Sequence, residues 1–255
     1  RQLTYLAGSV GEKLYMELIR PRLTDFHGIH KSQSDLDFAI QFFDEDIPLY
    51  VDPFLLWSSP SQQDQALHTI IINSFNQLNY LIKKNKVDEA IEILVNIFEC
   101  SEVGLGVAKT RKGVRMGTKQ AKEILDLFSD ISEYSQFGFS HFEVIQLYVA
   151  GISKDRVSDI ACNYVKSFLI DYTMEQCETH AIPLEGVILN NLYNYRTNKI
   201  DLNVKQRLPV NPTTKEPIIF TPKRWLKFNP WINYENYFEK YCPRDEVFNP
   251  NEPVE

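Results

Sequence analysis

Two stretches of the chain repeat apolar residues at the spacing of an amphipathic helix. In the first, one face carries five large apolar side chains: Leu67, Ile70, Ile71, Leu78 and Ile82. Ser59 and Pro60, just before it, are typical of an N-cap and a first helical position. A second apolar face covers residues 87–98, after a three-residue turn at 84–86. So short a link predicts an antiparallel pair of helices.

Two later stretches also show helical spacing. Thr118 is a candidate cap for a helix that turns Ala121, Ile124, Leu125 and Phe128 inward, and Ser153 opens a longer helix with an apolar face from Val157 to Leu169. Three other apolar runs have a less regular pattern. Residues 36–43 suit a short helix or a strand, 142–150 suit a strand or a buried helix, and 46–57 suit a buried extended segment broken at Pro53.

The pattern changes after Pro183, where short apolar runs alternate with Asn, Pro and Thr turns. The runs GVILNNLY, KIDLNVKQRLPV and PIIFTP predict strands and hairpins. We therefore predict an α+β fold, with a helix-rich N-terminal two thirds and a β-rich C-terminal segment packed on it. Because no linker-like stretch intervenes, residues 1–242 are predicted to form one domain. Its parts are helical over 1–180, β-rich over 181–228 and aromatic over 229–242, and a frayed tail follows at 243–255.

Composition narrows the class of protein. Apolar residues make up 44% of the 255 positions, which is enough for a folded core. The four cysteines form no CxxC pair and have no histidines at zinc spacing, so a reduced, cytoplasmic setting is expected. No apolar run is long enough to cross a bilayer, and no membrane partner is expected. The net charge of −7 argues against a uniformly basic surface, so phosphate binding would need local patches.

One such patch is the glycine-rich basic stretch at 103–117, followed by a predicted helix. The candidate phosphate-binding cations are Lys109, Arg111, Lys112 and Arg115 in this stretch and Lys119 at the start of the predicted helix. The stretch lacks the GK[ST] ending of a phosphate-binding P-loop and the strand and GxGxxG of a dinucleotide site. A basic loop that lies along a DNA or RNA backbone needs no fixed spacing. The alternative is a solvated connection between two helices.

A second candidate is the polar face of the helix that follows Ser153. Asp155, Asp159 and Asn163 are four residues apart and share one side, nearly opposite the apolar stripe. Such oxygen ligands suit Mg²⁺ or Mn²⁺, and no organic cofactor is expected. In a nuclease, Asp159 and Lys205, the last residue of Asp201-x-Asn203-x-Lys205, would be the catalytic candidates. Asp159→Ala would then abolish cleavage and leave stability nearly intact, because an exposed helix position tolerates alanine. The alternative is an ordinary solvated face with Arg156 and Lys166 as ion partners.

The stretch FTPKRWLKFNPWINYENYF interleaves cations with aromatic rings. Lys223 and Arg224 would contact phosphate while neighbouring rings stack on bases. The same aromatic residues would equally seal the last strand onto the core.

Three stretches together resemble a set of uncharacterised bacterial proteins of mobile-element and phage-defence loci: DIPLYVDPFLL, GISKDRVSDIACNYVKSFLIDYT and LPVN…PIIFTPKRWL. The resemblance implies a bacterial cytoplasmic setting and a function directed at nucleic acid. The leading hypothesis is an anti-phage defence component, either a metal-dependent nuclease or its recognition subunit. The competing hypothesis is a non-enzymatic subunit that binds a protein partner within a larger complex.

Overall fold

The structure, a computed structural model, describes residues 22–97, 99–106 and 117–228. Helices occupy most of the described residues up to 179, and short strands follow, so the predicted α+β fold is confirmed. The helices are α1 Leu23–Phe26, α2 Pro53–Trp57, α3 Gln62–Lys83, α4 Val87–Ile97, α5 Thr118–Asp130, α6 Ser132–Phe137, α7 Ile145–Tyr148, α8 Lys154–Tyr164 and α9 Lys166–Thr179. The strands are β1 Tyr50–Val51, β2 Glu185–Leu189, β3 Leu192–Asn194, β4 Lys199–Asp201, β5 Val204–Leu208 and β6 Leu226–Lys227.

The predicted helix pair forms as α3 and α4, which pack against each other. Helix α3 begins two residues later than the Ser59-Pro60 signal, because Ser61 is its N-cap and accepts a hydrogen bond from the Asp64 amide. The turn between the helices places Asn85 at a φ of 57°, a left-handed conformation that asparagine tolerates. Helix α5 turns the four predicted apolar residues inward, as expected.

Three of the predicted elements differ from the structure. Residues 36–43 form neither a helix nor a strand and take part only in isolated bridges at Phe38 and Phe42. The extended segment before Trp57 is a strand only at Tyr50–Val51, because Asp52 caps a short helix by accepting from the Phe54 amide. The single helix expected after Ser153 is two helices, α8 and α9, since Val165 leaves the helical conformation at ψ 15°. The ambiguous run at 142–150 is a 3₁₀ turn followed by α7.

The six strands of the described residues pair as three two-stranded antiparallel sheets, β1 with β6, β2 with β5 and β3 with β4. The β1–β6 pair ties Tyr50 to Lys227 across most of the chain. Tyr193 of β3 and Trp225 are buried in the same hydrophobic core as the helices. That the chain unfolds as one cooperative domain stays a prediction, and the segments 229–242 and 243–255 lie outside the described residues. None of the helices in the described ranges combines the length and apolar composition needed to cross a membrane.

Candidate nucleic-acid-binding site

The polar face of α8 is covered by the chain that leads toward the basic stretch. Asp159 is 6% exposed and Asn163 is 0% exposed, so the prediction of a solvent-facing side is wrong. Helical spacing identified residues that share a face, but it carries no information about what covers that face. Here the cover is residues 99–106, which we call the stem. Helix α8 is therefore buried on its polar side as well as on its apolar side.

Asn163 and Asp159 fix the beginning of the stem. The Asn163 amide donates to the backbone oxygens of Ile97 at 2.8 Å and Glu99 at 3.0 Å. Asp159 Oδ1 accepts from the Cys100 amide at 3.3 Å. These contacts satisfy backbone groups at the end of α4 that would otherwise be orphaned, so they hold the chain as it leaves the helix.

The rest of the stem is held by three residues outside it, Gln41, Ile47 and Ile219, and the Ile219 amide donates to the Glu102 oxygen at 2.8 Å. Gln41, which is buried, donates through Nε2 to the Val103 oxygen at 2.7 Å. Ile47 donates to the Gly104 oxygen at 3.0 Å and accepts from the Gly106 amide at 2.8 Å. Nearly every stem residue thus has a partner outside the stem, which makes its path independent of the residues that follow it.

Gly106 closes the stem in a conformation that requires glycine. Its φ is 127°, and a Cβ at this position would collide with Oδ1 of Asp155. Asp155 therefore packs directly on the backbone from which residues 107–116 continue. This places one predicted metal ligand at the base of the basic stretch.

Three carboxyl groups gather beside the stem with raised pKa values. Burial raises the pKa of Asp155 and of Glu99, and the nearby Arg156 opposes the shift in both. Burial also raises the pKa of Asp159 well above its usual range, and the neighbouring Cys100 and Asp155 side chains add to this rise. The Arg156 guanidinium lies 3.0 Å from Glu99 and 4.0 Å from Asp159. The positive charge of Arg156 thus partly neutralises the three carboxyl groups.

These residues do not fit a divalent metal in the arrangement seen. One oxygen of Asp159 is used by the Cys100 amide, and the Asn163 amide is turned toward backbone carbonyls. Among the described residues no group of three or more His, Cys, Asp or Glu side chains is arranged to hold a metal ion. We therefore derive no chemical step through a metal here.

Lys205 lies apart from these acids. It is in β5, opposite Ile188 of β2, and its side chain is exposed. No contact joins it to Asp155 or Asp159 within the described ranges. Asp201 lies in the neighbouring β3–β4 hairpin, where it accepts a hydrogen bond from Asn194 at 2.9 Å. The structure does not bring the two predicted catalytic residues together.

Of the predicted phosphate-binding cations, Lys119 is described and lies in the first turn of α5. Its side chain is 90% exposed and lies 3.7 Å from Glu123. Lys109, Arg111, Lys112 and Arg115 lie outside the described residues. Since α5 has no side-chain N-cap, the positive end of its dipole adds to the charge of Lys119.

The C-terminal cations make internal contacts. Arg224 forms a bidentate ion pair with buried Asp64, at 2.8 and 2.9 Å. Trp225 is buried and donates from Nε1 to the same carboxylate at 3.0 Å. Lys223 donates to the backbone oxygens of Gln33 and Ser34. The aromatic stretch therefore seals the core as far as Trp225, which is the second of the two predicted alternatives.

A buried cluster of titratable groups had no signal in the sequence. His68 is 6% exposed, and burial lowers its pKa to about 4. His141 lies 2.9 Å from Glu143, and its ring centre is 5.9 Å from that of His68. His68 is more than 70 positions away from His141 and Glu143 in the sequence, so only the fold brings it to them.

The site thus consists of a stem that is fixed on helix α8 and leads into a basic stretch, an arrangement suited to binding a phosphate backbone. Comparison with protein families matches residues 28–233 to a domain of unknown function, DUF8370, and the chain belongs to that family. Comparisons with curated proteins and with solved structures gave no match.

Proposed function

We propose that the protein is a nucleic-acid-directed component of bacterial anti-phage defence, which contacts the phosphate backbone through residues 107–116 and Lys119. The observation that carries the proposal is the stem. Contacts from four separate parts of the chain fix residues 99–106, immediately before a run of four cations. A fixed entrance lowers the entropy lost when the following residues settle on a ligand.

The charge distribution supports the same proposal. Between Val103 and Gln120 the chain has five cations and no acidic residue, whereas the whole protein has a net charge of −7. Phosphate contacts release counterions and provide affinity that depends on salt but not on base sequence. A local positive segment on an acidic protein restricts such binding to one place.

The test compares two charge-reversed variants with the wild type. The first changes Arg111, Lys112 and Arg115 to Glu. The second, a control with the same change in net charge, reverses the exposed residues Lys31, Lys199 and Arg207. Fluorescence anisotropy with DNA and RNA of unrelated sequences should show weaker binding for the first variant only, by a similar factor for every sequence. Equal weakening of both variants would contradict a local phosphate contact.

A narrower proposal is that the protein cleaves nucleic acid with Mg²⁺ or Mn²⁺. The observation in its favour is the gathering of Glu99, Asp155 and Asp159 at the base of the basic stretch. Because Asp159 is buried, ligation would require a rearrangement of this group. Cleavage that stops with chelator and with Asp155→Asn would support the proposal. A protein that binds nucleic acid but never cleaves it with either ion would be a recognition subunit.

The alternative class, a subunit that binds a protein partner, is favoured by a different observation. Phe137 at the end of α6 is 80% exposed and Leu147 in α7 is 71% exposed. Contiguous exposed apolar surface often marks a protein interface, and α6 and α7 are neighbours, since the ring centres of Tyr134 and Tyr148 lie 6.1 Å apart. A double change to Ser should leave nucleic-acid binding intact, whereas loss of a co-purifying native partner from the producing bacterium would support this class.

A further inference from the structure

A cavity of about 380 Å³ lies on the other side of the stem. It is bounded by the end of α4, the stem residues Glu99, Ser101 and Glu102, the end of β2 with the two residues that follow it, and residues 216–217. Its volume falls in the range of sites that hold small organic molecules. The stem therefore forms a wall of this cavity at one end and leads into the basic stretch at the other.

A buried lysine lies behind two of the lining side chains, Glu102 and Asn191. Lys166 is 0% exposed, and its Nζ lies 3.2 and 3.3 Å from the two Glu102 oxygens and 3.1 Å from Asn191 Oδ1. Burial opposes the charge on Lys166, but Cys100 and Glu102 outweigh it and raise its pKa. The lysine fixes both lining side chains, and Asn191 keeps its Nδ2 as a donor.

The walls combine apolar surface with hydrogen-bonding groups of both kinds. Val95, Ile188, Leu189 and Pro217 provide the apolar part. The polar part consists of three amides, a hydroxyl and three carboxylates: Asn96, Asn190, Asn191, Ser101, Glu99, Glu102 and Glu216. The lining contains no lysine or arginine, which disfavours a phosphate or carboxylate ligand. Asn190 makes no hydrogen bond within the described residues, so both its donor and its acceptor are available.

We propose that this cavity takes a nucleobase with an exocyclic amino group, from a strand whose phosphates contact the basic stretch. Donors and acceptors together match the edge of a base, whereas a simple organic cation would need acceptors alone. Asparagine amides pair with adenine, and carboxylates accept from the amino group of cytosine. A base taken out of the stack can be held between apolar side chains and recognised by hydrogen bonds to its edge. The contact between the phosphates of the strand and the basic stretch rests on the proposed function, whereas the binding of a base in the cavity does not.

The test uses free nucleosides, which carry no phosphate. Adenosine, cytidine and uridine are titrated into ¹⁵N-labelled protein, and amide shifts are followed at the stem and at Ile188–Asn191. The dissociation constants derived from these shifts should be at least about fivefold lower for adenosine or cytidine than for uridine, which lacks the amino group, because a good base contact discriminates to at least this extent. Equal affinity for uridine, or no shift with any nucleoside, would overturn the inference.

Two variants separate this inference from the proposed function. Asn190 is exposed, so Asn190→Leu should keep the fold and weaken the nucleoside by about fivefold or more. An unchanged affinity in this variant would also overturn the inference. Reversal of Arg111, Lys112 and Arg115 should leave nucleoside binding unchanged. If that reversal fails to weaken polynucleotides while nucleosides still bind the cavity, the phosphate proposal is wrong and the cavity stands.

Discussion

Replacement of Asn163 by alanine tests the contact that begins the stem. The Asn163 Nδ2 group donates its two hydrogens among three backbone oxygens, those of Ile97, Glu99 and Asp159, at 2.8, 3.0 and 3.1 Å. The residue is fully buried. In the alanine variant the oxygens of Ile97 and Glu99 lose this donor at a place that water does not reach freely. The variant should therefore be clearly less stable than the wild type.

The magnitude follows from these two oxygens. A buried acceptor left without a donor costs about 1–3 kcal/mol, so two cost about 2–6 kcal/mol. Asn163 Oδ1 is itself buried without a partner in the described residues, and its removal offsets about 1 kcal/mol of that loss. We expect a net loss of about 1–5 kcal/mol, a large share of the roughly 5–15 kcal/mol by which proteins are stable.

The assay is urea unfolding monitored by tryptophan fluorescence and far-UV circular dichroism, with coincident transitions as the check on two-state behaviour. Asn163→Asp provides the sharper comparison because it keeps the shape of the side chain but replaces the donor with an acceptor. The stability should decrease in the order wild type, Asn163→Ala, Asn163→Asp. Asn96→Ala is the matched control, since Asn96 makes one exposed hydrogen bond to Glu92, and it should stay within about 0.5 kcal/mol. An aspartate variant close to the wild type would refute the donor role of Asn163.

Three further predictions concern buried charged groups. Asp159→Ala should cost about 1–3 kcal/mol in the same unfolding assay, because it removes the acceptor of the Cys100 amide; a change below about 0.5 kcal/mol would restore the sequence-based expectation of a tolerant position. His68, whose pKa falls from 6.5 to about 4 on folding, is neutral in both states above pH 6.5. Between pH 6.5 and 4 only the unfolded state binds the proton, so stability should fall by up to about 3 kcal/mol, and His68→Phe should reduce that fall unless the neighbouring His141 and Glu143 cause it. Lys166→Met should cost about 3–5 kcal/mol, because it leaves the Glu102 carboxylate without its ion-pair partner. The double variant with Glu102→Gln should recover part of this loss in stability. A double variant that recovers nothing would mean that the two residues are not coupled.

Local patterns were enough to predict the amphipathic helices α3, α4 and α5. The apolar spacing of Leu67, Ile71 and Leu78 identified α3, and the four inward residues of α5 followed from the same rule. Both helices bury one stripe and leave the other side in water, which is the arrangement that the pattern encodes.

The features of the site depend on contacts that are distant in sequence. Asn163 binds residues 64 and 66 positions away, and Gln41 binds Val103 at a separation of 62. A polar residue gives the same signal whether it faces water or a buried backbone group, so Asp159 was expected at the surface. For the same reason, no local sequence pattern predicts that buried Lys166 holds Glu102 and Asn191 beside the cavity.

The dependence of nucleic-acid affinity on salt tests the central claim most directly. The dissociation constant of a single-stranded oligonucleotide is measured by anisotropy across a series of salt concentrations for the wild type and for the Arg111, Lys112 and Arg115 reversal. Each phosphate contact on a single strand contributes about 0.7 to the slope of log affinity against log salt. Loss of three contacts should therefore make the slope shallower by about 2, whereas the Lys31, Lys199 and Arg207 reversal should leave it unchanged. Identical slopes for the wild type and the first variant would contradict phosphate contact by the basic stretch.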